Sequence, residues 1–119
     1  MSTANVWIFR TRVEPEFTAA QNVVGYDVEA TDGHIGKIDE ASLETSHRFL
    51  VVDTGFWIFG KKRLIPAGVV TNVDHEKKNV YVALTKDELK RAPDYDAQVT
   101  QDDEAYYDKQ ASYYSPYGW

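Results

Sequence analysis

Val24-Gly25-Tyr26-Asp27-Val28-Glu29-Ala30-Thr31-Asp32-Gly33-His34-Ile35-Gly36-Lys37-Ile38 is the stretch on which the fold turns. Residues 24–30 alternate apolar with polar or small side chains, the pattern of a half-buried strand. Asp32-Gly33 then supplies a hairpin turn, because Gly takes positive φ freely and Asp tolerates it. The second arm runs through Ile35 and Ile38, which break strict alternation. Gly36 between them predicts a bulge, where a strand bends.

Working outward, the pattern repeats. Phe49-Leu50-Val51-Val52-Asp53 is a short apolar run that reads as a strand buried on both faces. Arg63-Leu64-Ile65-Pro66 and Gly68-Val69-Val70-Thr71-Asn72-Val73 read as one strand interrupted at Pro66, which cannot donate to a ladder and marks an edge or a bend. Residues 74–79 form a polar turn, and Val80-Tyr81-Val82-Ala83-Leu84 alternates cleanly. The period then changes. Thr85-Lys86-Asp87-Glu88 fits a capping box, and Ala92-Pro93 stops the short helix that follows. Five or six short strands with turns between them predict a small antiparallel barrel, in which closure removes exposed edges.

Charge divides the 119-residue chain further. The formal net charge is -6, from 13 basic and 19 acidic residues. Residues 92–119 hold six carboxylates against Lys109 alone, so nearly all of the net charge sits there. We therefore divide the chain into a lead-in at 1–21 with a possible extra strand, a barrel at 22–91, and an acidic, tyrosine-rich tail at 92–119. Scarce aliphatics in the tail favour disorder, whereas its aromatics favour folding back on the barrel or serving as a recognition peptide. The near-neutral barrel and acidic tail argue against direct nucleic-acid binding, which needs basic surface to replace counterions. Cysteine is absent, which removes disulfides, thiol nucleophiles and Cys-ligated metals. Neither a signal peptide nor an apolar run of membrane-spanning length is found, so a cytoplasmic location without a membrane span is expected.

The residues also resemble a known family. Asp27-Val28-Glu29-Ala30-Thr31-Asp32-Gly33 with Ile35-Gly36-Lys37-Ile38, then Leu50-Val51-Val52-Asp53-Thr54-Gly55, Trp57-Ile58-Phe59-Gly60-Lys61-Lys62 and Ile65-Pro66-Ala67-Gly68-Val69-Val70, are similar in order and spacing to a PRC-barrel domain. The similarity runs over roughly residues 22–95. It implies a mainly β protein: a small antiparallel PRC-type β-barrel, here with one short C-terminal helix. The family takes its name from the cytoplasmic domain of the photosynthetic reaction centre H subunit. It also supplies the C-terminal domain of a ribosome-maturation factor, which contacts a ribosomal protein, and small stand-alone bacterial members that this chain resembles. The resemblance implies an interaction or adaptor module without a catalytic motif or cofactor. Self-association into a homo-oligomer is expected, with the identity of any other protein partner left open. A ribosome- or RNA-processing-associated factor is the first alternative. A small-ligand binder or enzyme is the second.

Several residues stand out as candidate contacts. Gly55-Phe56-Trp57-Ile58-Phe59-Gly60 places four large apolar side chains where a hairpin connection is normally polar. They serve either as an interaction anchor or as a plug for the barrel end. Lys61, Lys62 and Arg63 follow, either as a solvated cluster or as partners for acidic groups, including the chain's own tail. Trp7 and Phe9 lie in the apolar stretch at residues 6–13, which reads as a strand able to add to a barrel edge. In the tail, Tyr106-Tyr107 together with Tyr113, Tyr114, Tyr117 and Trp119 form the candidate recognition motif. No catalytic or metal site is expected. Gly-x-Ser-x-Gly and phosphate-loop motifs are missing, and Asp27, Glu29 and Asp32 lack the ligand set of a calcium loop. The three histidines have no zinc-pair spacing and fit surface turns.

Overall fold

The computed structural model describes residues 6–11, 13, 15, 23–40, 42, 48–55, 62–96, 98–99 and 103–118. Six strands form one sheet: β1 Asp27–Ala30, β2 Gly33–Ile38, β3 Phe49–Asp53, β4 Lys62–Pro66, β5 Val70–Asp74 and β6 Asn79–Val82. Their order is β4-β3-β2-β1-β6-β5. The protein is thus mainly β, as expected, with two differences from an all-antiparallel closed barrel. First, β1 runs parallel to β6, with Val28 opposite Val80. Second, β4 and β5 end the hydrogen-bonded order, so the sheet does not close through a ladder. Alternation reports which face a side chain takes but not strand direction, so the parallel pair was invisible in sequence.

Pro66 marks a corner where the chain passes from one sheet edge to the other. It closes β4, an edge strand, where a missing N–H costs no ladder bond. A 3-10 turn, Ala67–Val69, then leads directly into β5. The expected bulge lies in β2. Val28 pairs with Gly36 and Glu29 with His34, leaving Ile35 as the extra residue. Ile35 itself is fully buried.

The core joins both ends of the sheet: Val28, Ile35, Val51, Leu64, Ile65, Val80 and Leu84 have no solvent exposure. Four of the five β3 residues are buried, as the apolar run predicted. Helix α1, Lys86–Lys90, follows β6 and carries the complete capping box: Thr85 Oγ1 accepts from Glu88 N, and Glu88 accepts from Thr85 N at 2.8 Å. The tail holds a second helix, α2, Glu104–Tyr114, capped by Asp103 and continued by a 3-10 turn at Ser115–Tyr117.

The lead-in differs from expectation. Residues 6–7 lie in a 3-10 turn, and none of the described residues before β1 is in a strand. Side chains three apart eclipse in such a turn. Val6 and Phe9 accordingly both enter the core, at 1% and 5% exposure, which removes Phe9 from the surface. Among the described residues, no helix is long and apolar enough to cross a membrane.

Candidate protein interaction face

Three segments distant in sequence converge on one aromatic cluster. With Val6 and Phe9 turned inward, the N-terminal turn leaves Trp7 half-buried and Ile8 49% exposed. Arg10 pins this turn down. Its Nε donates to the Gly68 carbonyl at 3.1 Å and its Nη2 to the Tyr117 carbonyl at 3.2 Å. The second segment is the start of β3, Arg48 and Phe49, and the third is the first half of α2 with Tyr106 and Tyr107.

Trp7, Phe49 and Tyr107 form a triangle with ring centroids 5.8 to 6.1 Å apart. Tyr106 packs edge-on against Tyr107 at 5.0 Å. The Arg48 guanidinium lies over two of these rings, 5.3 Å from Trp7 and 5.8 Å from Tyr107. Such stacking holds a cation in place while leaving its N–H groups free to donate. Among the described residues, no carboxylate pairs with Arg48. Tryptophan, tyrosine and arginine are the residue types that dominate binding hot spots.

Helix α2 reaches this position because its inward residues recur at helical spacing. Tyr107, Ala111 and Tyr114 form one stripe, and Tyr106, Gln110, Tyr113 and Tyr117 form the next. The second stripe is fixed by polar bonds to main-chain groups. Tyr106 Oη accepts from Asp96 N, Gln110 donates to the Asp94 carbonyl, and Tyr113 donates to the Glu88 carbonyl. Burial raises the Tyr106 phenol above its ordinary range.

The tail motif is therefore built into the fold rather than presented. Tyr114 is fully buried, and burial pushes its phenol far up. Tyr113 and Tyr117 are half-buried, and the Glu88 carboxylate near Tyr117 raises that phenol above its ordinary range. The basic cluster also separates. Lys62 pairs with Asp39 at 3.0 Å, which raises its ammonium above the usual range. Arg63, expected among solvated cations, has a side chain only 5% exposed. It donates to the Leu89 and Lys90 carbonyls at the end of α1 and to Asp94 at 3.0 Å. Its bonds to the end of α1, with α2 packed on β4, hold Arg63 inside. Phe56, Trp57, Ile58, Phe59, Lys61 and Trp119 lie outside the described residues.

Of the cluster, Trp7 and the Tyr106-Tyr107 pair were singled out in sequence, the tyrosines as part of a tail recognition peptide. Arg48 stands alone before a strand. The recurrence of Tyr107, Ala111 and Tyr114 behind an Asp cap was the available signal.

A cleft of about 340 Å³ lies elsewhere, lined by His34, Gly36, Lys37, Asp53, Thr54 and Gly55. Its polar groups are taken up. Asp27 binds both Lys37 and His34, which holds its carboxyl below the usual range, and Asp53 accepts from Gly55 N. Among the described residues, no group of three or more potential metal ligands gathers.

Glu88 links α1 to the tail. The Thr85 amide, and secondarily the Tyr117 hydroxyl, hold its carboxyl below the ordinary range. A depressed folded-state pKa gives stability that is present above the unfolded value and lost as pH falls through the folded one. Glu88→Ala is expected to lower the neutral-pH melting midpoint by about 4 °C, the shift that ~1 kcal/mol of lost capping produces in a domain of this size. The difference from the unsubstituted protein should shrink once the pH falls below the carboxylate range. A gap that stays constant on acidification would disprove the carboxylate's part.

The family model for the PRC-barrel domain matches residues 15–89. No curated protein matches the chain. The matched span includes Arg48 and Phe49 but not Trp7, Ile8 or any of α2.

Proposed function

Because the chain belongs to the PRC-barrel domain family, we propose that it acts as a non-enzymatic protein interaction module whose working face is the Trp7–Arg48–Tyr107 cluster. The observation that carries this is the stacked Arg48, which no described carboxylate pairs, beside a half-buried tryptophan and the exposed Ile8. Trp7 and Tyr107 lie outside the matched family span, so the face is an addition of this chain to the barrel. The non-enzymatic part rests on the family.

Site-specific crosslinking in the native cell tests the role. A photoreactive residue in place of Ile8 should give a discrete crosslinked product. The same group in place of Glu76, exposed in the β5–β6 turn, should not. Adding Trp7→Ala should remove the Ile8 product. Equal labelling from both positions would overturn the proposal.

A further inference from the structure

We propose that this face is self-complementary and docks a second copy of the chain, with Arg48 of each copy meeting Glu104 of the other across a two-fold axis. The proposal rests on the interaction role above and names the partner.

Among the described residues no carboxylate pairs with Arg48, although the chain has 19 acidic residues against 13 basic. Its side chain lies on Trp7 and Tyr107 instead. Glu104 is exposed on α2, one turn before Tyr107 and so on the same side of the helix. Among the described residues it has no cationic partner either. The face therefore carries an oriented cation on its aromatic rings and, one helical turn before Tyr107, a carboxylate that no described cation pairs.

Ile8 adds the apolar element. Among the described residues it is the exposed large hydrophobic. A two-fold axis sets residue i against j and j against i, so one Arg–Glu complementarity is used twice and both apolar centres are covered at once. An acidic partner of another sequence would satisfy Arg48 but leave Glu104 facing a like charge. A second copy satisfies both.

Sedimentation velocity on the full chain, from tens to hundreds of micromolar at physiological salt, should show a monomer–dimer equilibrium. Arg48→Glu and Glu104→Arg should each weaken it by about tenfold or more, the scale of losing close charge pairs at an interface. An equimolar mixture of the two variants should recover the dimer, because each opposing pair is then one acid and one base. Recovery also shows that both variants are folded. Arg48→Gln and Glu104→Gln should weaken association without repulsion. A wild-type chain that stays monomeric overturns the second copy as occupant, while the Ile8 crosslinking result above would still stand or fall separately. A dimer that ignores both charge reversals overturns this face. A mixture that fails to recover while both Gln variants associate like wild type overturns the Arg48–Glu104 pairing.

Discussion

Gly36→Ala is expected to destabilise the protein by about 3 kcal/mol, the upper range for forcing extra volume into a packed interior. A Cβ at Gly36 would run into the Asp53 carbonyl and also press on the Val52 side chain. Main chain cannot yield there. Asp53 and Val52 belong to β3, which is paired with β2 on one side and with β4 on the other. Moving the carbonyl would strain both ladders. Gly25→Ala is the matching control. Gly25 sits at φ +89° with open space around it, so the alanine there meets only backbone strain, worth about 1 kcal/mol. Urea unfolding of both variants should place the Gly36 midpoint well below that of Gly25. Equal midpoints would mean that the close approach of β2 to β3 is wrong. Against a typical total stability of ~5–15 kcal/mol, such a loss is a large fraction of what holds a small domain folded.

Tyr114→Ala should cost about 4 kcal/mol, as deletion of a buried aromatic ring does when its surroundings close only in part. Tyr114 has no exposed surface and packs with Ala111 beneath α2, beside the buried Arg63. Tyr114→Phe separates the ring from the hydroxyl. No group among the described residues bonds to the Tyr114 hydroxyl, and its neighbour Gln110 likewise has a buried Oε1 without a partner. Removing a buried, unpaired hydroxyl relieves its desolvation, so phenylalanine is expected to match or exceed wild-type stability by up to ~1 kcal/mol. Thermal and urea melts of the two variants give the answer together. A large loss in Tyr114→Phe would show that the hydroxyl is bonded. A small loss in Tyr114→Ala would show that α2 does not depend on this plug.

The features legible in sequence share a local physical cause. Asp32-Gly33 names its turn through backbone preference. Thr85 and Glu88 satisfy each other's amides within one helical turn. Gly36 marks the bulge because it admits a close approach of β3 that any Cβ would block, and Pro66 marks the corner because it has no N–H to donate to a ladder. The tail was less legible for the opposite reason. Its buried face is tyrosine, alanine and glutamine, held by bonds to main-chain groups of distant segments, and no scale of apolarity records that. The candidate face was legible in part. Trp7 and Tyr107 stood out by type, whereas Arg48 became significant only when the N-terminal turn and α2 met over β3.

By itself the sequence determined the β-rich class, the family, the hairpin, the bulge and the capped helix, since alternation, turn chemistry and capping act over a few neighbouring residues. Tertiary structure alone decided that β1 lies parallel to β6, that Arg63 and Phe9 belong to the interior, and that the acidic tail is a helix packed on the barrel. It also decided that Arg48 rests on two aromatic rings. These outcomes are set by which surfaces meet across long stretches of chain, and burial of a charge or a ring is a property of the contact rather than of the residue.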